Sequence, residues 1–272
     1  MTTQANILRR LPAALALACG LHGPVAHAEP TSSGSETGQP AISIIIDDIG
    51  YLKHRDSRAI RLPGLVTYAF LPYTPYAREL AEQAHKLGKE VMLHLPMESM
   101  EHNPLGPGGL TINMTRNEFR RQLEDDLAAV PYVAGINNHM GSLLTQHPGY
   151  MRWLMQELVH HDKLYFVDSY TTKTSVVQQV ANENWIPNLR RDVFLDSDRD
   201  PAKIRFQLHR LLQLARNNGI ALGIGHPYPE TVKVLEAELP KLEHQGIQLL
   251  PVSKLLTRHM QRFQTWRAFL SP

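Results

Sequence analysis

Cysteine is almost absent from this sequence, which has one cysteine, Cys19, among 272 residues. Cys19 lies in an N-terminal segment with Arg-Arg at 9–10, an apolar stretch at 11–21 and Ala-His-Ala at 26–28. This order is typical of a cleaved secretion signal, because the apolar stretch is shorter than the ~20 residues that span a bilayer. A membrane anchor, or lipidation of Cys19, is the weaker interpretation. Cleavage after residue 28 would exclude disulfides, a thiol nucleophile and thiolate metal ligands.

The sequence also lacks an excess of charge of either sign, since the formal net charge is +2 and the basic residues are scattered. This pattern gives no indication of nucleic-acid binding. The sequence predicts a signal peptide at 1–28, a flexible lead-in at 29–40, one catalytic domain at 41–258 and a C-terminal tail at 259–272. We expect a secreted or periplasmic protein with no transmembrane anchor after cleavage.

Five short apolar runs each end on an acidic residue or a histidine. Each run is typical of a buried strand, and segments with helical spacing lie between them. The runs and the residues that end them are 42–46 with Asp47 and Asp48, 90–93 with His94, 133–138 with His139, 164–167 with Asp168, and 220–225 with His226. Because the loops after parallel strands form one functional face, these side chains are predicted to converge.

Helix boundaries are indicated by capping residues. Thr115 and Glu118 form a capping box pattern, and Asp200 precedes a proline at the first helical position. Gly219 and Gly246 suit the left-handed position at a helix C-terminus. The predicted helices cover 74–87, 115–130, 148–161, 201–218 and 229–245.

Two further predicted strands, at 66–70 and 247–252, bring the number of βα units to seven or eight. The fold class is therefore α/β, as a closed or nearly closed (β/α) barrel in a single domain. An open doubly wound sheet stays the alternative, because strand order is not encoded locally.

The strand ends supply a ligand set for a metal ion. Asp48, His94 and His139 provide one carboxylate and two imidazoles, which suit Zn²⁺ or another divalent metal and leave positions for water and substrate. Asp47 is the candidate general base. Adjacent residues of a strand point to opposite faces, so both carboxylates reach one site only if the chain turns there, which Gly50 permits. Alternatively, one of them caps the next helix.

The same segments resemble the divergent polysaccharide deacetylases, a branch of the NodB-like carbohydrate esterases. The resemblance runs from about residue 42 to 256. It is carried by Ile-Ile-Asp-Asp-Ile-Gly-Tyr at 45–51, His-Leu-Pro-Met-Glu at 94–98, Asn-Asn-His-Met-Gly-Ser at 137–142, Phe-Val-Asp-Ser at 166–169 and Gly-His-Pro at 225–227. It implies a distorted (β/α) barrel and removal of acetyl groups from a polysaccharide or peptidoglycan-like glycan.

By this resemblance Asp47 is the base, His226 is the acid that protonates the leaving group, and a zinc-type metal is held by Asp48, His94 and His139. Asp168 would orient His226 or a neighbouring polar group. The sequence departs from the usual superfamily pattern, because it lacks two metal histidines spaced four residues apart on one loop. His139 is therefore the expected second imidazole, with Glu98 in reserve or at a capping or solvent-facing position.

Smaller polar groups add two open alternatives. Asn137, Asn138 and Ser142 either donate hydrogen bonds to a sugar or to the developing oxyanion, or are ordinary turn residues beside a glycine. Ser169 follows Asp168 on the same face and is a candidate for substrate binding. It is a poor nucleophile candidate, because no Gly-x-Ser-x-Gly elbow surrounds it.

Three function classes follow. The first is a metal-dependent hydrolase that removes acyl groups from a polysaccharide or cell-wall glycan. The second is a catalytically silent glycan-binding or envelope-assembly protein on the same fold. The third is a glycoside hydrolase with Asp47 and Asp168 as its paired carboxylates, which would leave the histidines without a role.

Overall fold

The structure, a computed structural model, describes residues 38–161 and 163–270. Strands and helices alternate along most of the chain. The strands are β1 (Ala41–Ile49), β2 (Thr67–Phe70), β3 (Glu90–Met97), β4 (Val133–Met140), β5 (Tyr165–Asp168), β6 (Asn188–Arg190), β7 (Val193–Phe194), β8 (Ile220–Gly225) and β9 (Gln248–Leu249). The α-helices are α1 (Lys53–Ile60), α2 (Ala77–Lys86), α3 (Arg116–Ala129), α4 (Pro148–Leu158), α5 (Val177–Glu183), α6 (Pro201–Asn218), α7 (Pro229–Glu238) and α8 (Val252–Leu270).

All strand pairs are parallel, and the sheet order is β6-β5-β4-β3-β2-β1-β8-β7, with β9 paired to the start of β1. β6 and β7 form the two ends of this order, yet only Arg191 and Asp192 separate them in the chain. The sheet therefore curls into a distorted (β/α) barrel of eight parallel strands in a single domain. This confirms the predicted fold class and rejects the doubly wound sheet.

Apolar side chains fill two layers, one between sheet and helices and one inside the curl of the sheet. Val252, Leu255 and Leu256 at the start of α8 belong to the inner layer, where they pack with residues such as Ile45 and Met92. Each fully buried side chain of this size contributes about 1.5–3 kcal/mol. Because α8 follows β9, which pairs with the first residues of β1, it closes the N-terminal end of the barrel. The C-terminal end is left for the functional site.

Several local predictions are confirmed. Thr115 and Glu118 form both hydrogen bonds of a capping box at α3. Asp200 accepts hydrogen bonds from two backbone N–H groups at the start of α6, and that helix ends at Gly219 with φ of 81°. Gly246 also has a positive φ, 69°. Local side-chain chemistry therefore fixes these boundaries.

Two predicted elements differ from the structure. The helix expected over 229–245 ends at Glu238 and continues as a short 3₁₀ turn, Leu239–Lys241, because Pro240 has no N–H to donate and disfavours further α-helix. The strand expected over 247–252 is reduced to β9, and Val252 instead begins α8 directly after a proline. Among the helices of the described residues, none combines the length and apolar character needed to cross a membrane.

Candidate active site

Both carboxylates at the end of β1 enter the same site, because the strand is irregular there. The pairing register with β2 shifts between Ile46 and Ile49, and Asp48 adopts a left-handed conformation with φ of 58°. This reverses the normal alternation of side chains at the bulge. The predicted turn is thus present: Asp48 bends the chain, and Gly50 just beyond it has a positive φ of 135°. No side chain caps the start of α1, so the alternative capping role is not seen; Asp56 within that helix instead accepts hydrogen bonds from Gly50 N and Leu52 N.

Three predicted ligands meet in a nearly equilateral triangle. Asp48 Oδ1 lies 3.2 Å from His94 Nε2 and 3.1 Å from His139 Nδ1. The two imidazole nitrogens are 3.1 Å apart. With Zn–N and Zn–O bonds of about 2.0–2.1 Å, the edges of a coordination tetrahedron are about 3.3 Å long, close to all three distances. The site therefore fits a small divalent metal ion.

The buried atom Asp48 Oδ1 supports that fit, since it has no hydrogen-bond partner. A buried carboxylate oxygen without a donor is costly, and a cation would satisfy it. His94 is buried and His139 is partly exposed. One side of the triangle is thus open, as in catalytic rather than structural metal sites.

Asn137 orients the first imidazole and the base together. Its Oδ1 lies 2.8 Å from His94 Nδ1, and its Nδ2 donates to Asp47 Oδ1 at 2.8 Å. An amide oxygen only accepts, so the neutral form of His94, the form that binds a metal, carries its proton on Nδ1 and turns the Nε2 lone pair toward Asp48 and His139. These contacts support a role for Asn137 inside the site rather than that of an ordinary turn residue.

Burial and charge set the protonation of these groups. Burial raises the pKa of Asp47, although His94 and His226 oppose the shift. Burial would also raise the pKa of Asp48, but the neighbouring imidazoles of His139 and His94 outweigh it and hold that pKa well below its usual range. The pKa of His94 is lowered by burial, yet Asp47 and Asp48 raise it overall to about 9. Asp47 is thus the better proton acceptor and Asp48 the permanent anion.

His226 faces the same centre from β8, with Nε2 at 3.8 Å from Asp48 Oδ2. Its partner is Asp196, which sequence reasoning missed: Asp196 Oδ1 lies 2.9 Å from His226 Nδ1, and Asp196 Oδ2 accepts from His226 N and Thr231 Oγ1. Burial lowers the pKa of His226, but the hydrogen bond with Asp196 outweighs this and raises it. The proton of the neutral ring therefore lies on Nδ1, and the raised pKa favours the imidazolium form, whose Nε2–H faces the centre.

Asp168 was expected to orient His226 or a neighbouring polar group, and the first possibility is wrong because Asp196 holds that position. Its carboxylate accepts from Ser175 Oγ at 2.7 Å and from Tyr170 N at 2.8 Å. These contacts fix the loop after β5 instead. Burial raises the pKa of Asp168, which Ser175 and Tyr170 partly oppose.

The candidate substrate-binding residues are engaged within the protein. Asn138 accepts from Ser169 N and donates to Met140 O, while Ser169 Oγ lies 3.4 Å from Asn137 Nδ2 beside the centre. Ser142 Oγ accepts from Met100 N and contacts Glu101, so it ties down the loop after β3. Their contact with substrate stays a prediction.

Glu98, the reserve metal ligand, and Arg191 both lie outside the triangle of metal ligands. Glu98 Oε2 accepts from Ile112 N, so Glu98 belongs to the loop after β3. Arg191 is half-buried and donates to the carbonyl oxygens of Ser169 and Tyr170; burial lowers its pKa, which the charge of Asp47 partly opposes. No sequence signal singled it out, because it follows a strand of three residues.

Proteins similar in sequence cover most of this chain. It is 39% identical over 215 residues to the uncharacterized protein YibQ of Escherichia coli (strain K12), a match that covers 79% of this chain and 67% of YibQ. An uncharacterized protein of Haemophilus influenzae is 34% identical over 217 residues, with 80% and 77% covered.

Solved structures share the fold. An uncharacterized protein from Agrobacterium tumefaciens C58 has a TM-score of 0.76 at 24% identity, covering 80% of this chain and 89% of that one. Peptidoglycan deacetylase PdaC from Bacillus subtilis has a TM-score of 0.51 at 16% identity, covering 87% and 100%. At these low identities the similarity shows only that the proteins share the barrel fold.

The resemblance seen in the strand-end motifs is confirmed by the family's sequence profile, which matches residues 44–256 and therefore includes every predicted catalytic and metal-binding residue. The chain belongs to the divergent polysaccharide deacetylase family.

Proposed function

We propose that this protein is a metal-dependent hydrolase that removes acetyl or related acyl groups from a polysaccharide or cell-wall glycan. The observation that carries the proposal is the triangle of Asp48, His94 and His139 between two proton-transfer groups. Asp47 Oδ2 lies 3.7 Å from His94 Nε2, and His226 Nε2 lies 3.8 Å from Asp48 Oδ2.

Asp48, His94 and His139 would hold the ion, with zinc favoured by the nitrogen and oxygen ligands. The chemistry that such an ion supplies is polarisation of the acyl carbonyl and a lower pKa for a nearby water molecule. The raised pKa of Asp47 suits removal of a proton from that water. Asn137 keeps the Asp47 carboxylate turned toward the site.

His226 would give its proton to the sugar nitrogen or oxygen that leaves. An amine or alkoxide is a poor leaving group, so protonation as the bond breaks lowers the barrier. Asp196 supports this role because it holds Nδ1–H and stabilises the imidazolium until the proton is transferred. Asp47 would thus act on the attacking water and His226 on the leaving group.

A glycan substrate is supported by membership of the family and by the name of PdaC, a peptidoglycan deacetylase of similar fold. Export fits such a substrate, and we propose cleavage of residues 1–28 and a periplasmic or secreted location. The signal segment lies outside the described residues.

The alternative is a silent glycan-binding protein on the same fold. The contacts favour catalysis, because Asp47 is buried with a raised pKa and His226 is held by a second carboxylate, arrangements that binding alone does not require. The glycoside hydrolase interpretation is disfavoured, since both carboxylate oxygens of Asp168 are occupied by Ser175 and Tyr170.

Elemental analysis of purified residues 29–272, beside Asp48→Ala, His139→Ala and the exposed control His209→Ala, tests the metal site. We expect near-stoichiometric divalent metal in the wild type and in the control and its loss in the other two. Asp47→Asn should keep the metal but release acetate from acetylated glycan about 10²- to 10⁴-fold more slowly. A wild type that binds no divalent metal after supplementation would overturn the proposal.

A further inference from the structure

The buried face of α3 carries a carboxyl group where its spacing favours an apolar side chain. The buried residues of this helix are Phe119, Leu123 and Asp126, which follow one another at helical spacing. Asp126 is fully buried, and its Oδ1 accepts a hydrogen bond from Gln122 Nε2 at 2.9 Å. Its Oδ2 is also buried, and it has no hydrogen-bond partner among the described residues. Such an oxygen is unusual in a folded protein and calls for an explanation.

Two loops of the active-site face cover this carboxyl group. A Cβ on Gly108, in the loop after β3, would lie 2.5 Å from Asp126 Oδ1 and 3.1 Å from Pro72 Cγ. The same Cβ would lie 3.0 Å from Cε2 of Tyr73, in the loop after β2, and Tyr73 also faces the carboxyl group. Asp126 therefore lies directly beneath the contact between the two loops.

No positive charge compensates this carboxyl group. The groups that face it are Tyr73 from the loop after β2 and Gln122 and Asp125 from α3 itself, and none of them is a cation. Arg78 of α2 donates to the carbonyl oxygen of Ala128 instead. Burial raises the pKa of Asp126 to about 7, although Gln122 and Tyr73 oppose the shift. The carboxyl group is therefore neutral in acid and becomes a buried, unpaired anion at higher pH.

The covering part of the loop after β3 is held by packing alone. Residues 104–109, called the loop tip below, form no backbone hydrogen bond with any described residue. Gly106 and Gly108 within it have positive φ angles of 75° and 84°. A segment without backbone hydrogen bonds opens locally at a low cost in free energy. The loop tip can therefore respond to a change of charge beneath it.

We propose that Asp126 is a proton-controlled latch, which keeps the loop tip closed in acid and releases it toward neutral pH. A protonated carboxyl group is tolerated against Gly108, whereas an ionised one is stabilised when the loop tip opens and water reaches it. The pKa is about 7 in the closed form and near 3.8 once the carboxyl group is hydrated. The closed form therefore loses stability relative to the open form as the pH rises from 3.8 to about 7, and no further above that.

Release of the loop tip would change the surroundings of the metal ligands. The loop begins after β3, the strand of His94, and Tyr51 follows Asp48 by three residues. The hydroxyl oxygen of Tyr51 would lie 3.7 Å from a Cβ on Gly106. When the loop tip opens, Tyr51 loses this neighbour and the site becomes wider on that side. The latch thus makes access to the candidate active site dependent on pH.

Amide hydrogen exchange at Leu110 tests the proposal, because its N–H is donated to Pro96 O at 2.9 Å directly after the loop tip. In purified residues 29–272, exchange corrected for its intrinsic pH dependence should rise by up to about 10³-fold from about pH 4 to about pH 7. The carboxyl carbon of Asp126, followed by ¹³C NMR in the same protein, should titrate well above pH 3.8.

Three variants separate the latch from other titrating groups, including the metal ligands. Asp126→Asn removes the ionisation with little change of shape, so the excess exchange at Leu110 should vanish. Asp125→Asn, at the exposed neighbouring carboxylate, should behave as the wild type does. Gly108→Ala should raise exchange at Leu110 already in acid, because its Cβ would displace the loop tip from Asp126.

An excess that is missing from the wild type, persists in Asp126→Asn or disappears in Asp125→Asn would overturn the proposal. So would titration of the Asp126 carboxyl group near pH 3.8, since the closed form would then already hydrate the anion. That last measurement needs no variant. None of these outcomes depends on metal content or acetate release.

Discussion

Replacement of Asp196 by asparagine should reverse the proton arrangement of His226 while leaving the metal triangle intact. Asp196 Oδ2 accepts from His226 N and Thr231 Oγ1, so an asparagine oxygen keeps those two hydrogen bonds. The amide NH₂ then faces His226 Nδ1, which must become an acceptor and leave the proton on Nε2. The side chain changes from a stabilised imidazolium to a neutral imidazole, which is a much weaker acid.

The lost charge-assisted hydrogen bond is buried, so we expect Asp196→Asn to cost about 2 kcal/mol of folding stability. For a domain of this size, that corresponds to a Tm lower by about 4–8 °C. Acetate release from an acetylated glycan should fall about 10²-fold or more. Hydrolysis of p-nitrophenyl acetate should be much less affected, because its phenolate leaves without protonation.

Imidazole ¹⁵N NMR would show the tautomer directly, with the His226→Gln variant assigning the signal. Thr231→Val is the matched control, since it removes one hydrogen bond to Asp196 but not the one to His226 Nδ1. It should lose stability but retain the NMR signature. An unchanged His226 tautomer in Asp196→Asn, or equal losses on both substrates, would refute the assignment of His226 as an acid oriented by Asp196.

Three further predictions concern the metal site and β1. Because the pKa of His94 is raised from 6.5 to about 9, its contribution to folding stability is complete below pH 6.5 and is lost as the pH rises through 9. Chelator-treated protein should therefore lose stability in thermal melts across this window, whereas metal-loaded protein should not, since deprotonated ligands bind metal better. Asn137→Ala should weaken zinc binding about 10- to 100-fold in a competition titration, because His94 loses its orienting acceptor; unaltered affinity would contradict this. Gly50→Ala should lower the free energy of unfolding by about 3 kcal/mol or more, since a Cβ there would lie 1.9 Å from Thr74 Oγ1. Gly88→Ala is the control, because Gly88 also has a positive φ but faces open space; it should cost about 1 kcal/mol. Equal losses in the two variants would reject the steric explanation.

The agreement between sequence and structure is best where the determining interactions are local. Thr115 and Glu118 are one helical turn apart, so their capping box follows from spacing alone. The polar ends of β1, β3 and β4 converge because parallel strands place their C-terminal ends on one edge. For that reason Asp48, His94 and His139 could be proposed as one ligand set without knowledge of strand order.

Long-range pairing could not be predicted in the same way. Asp196 follows a strand of two residues and meets His226 only because β7 lies beside β8. So short a strand has no periodicity to detect. Asp168, which follows a clear apolar run, was therefore preferred for a role that Asp196 performs.

The sequence by itself determined the alternation of strands and helices, the helix caps and the residue types at the strand ends, because these depend on periodicity and on contacts a few residues apart. Tertiary structure alone decided that β6 and β7 end the curled sheet, that Asp48 adopts a left-handed conformation, and that α8 fills the N-terminal end of the barrel. These outcomes depend on the packing of segments distant in the chain. The burial of Asp126 belongs with them, since burial is a property of the folded structure.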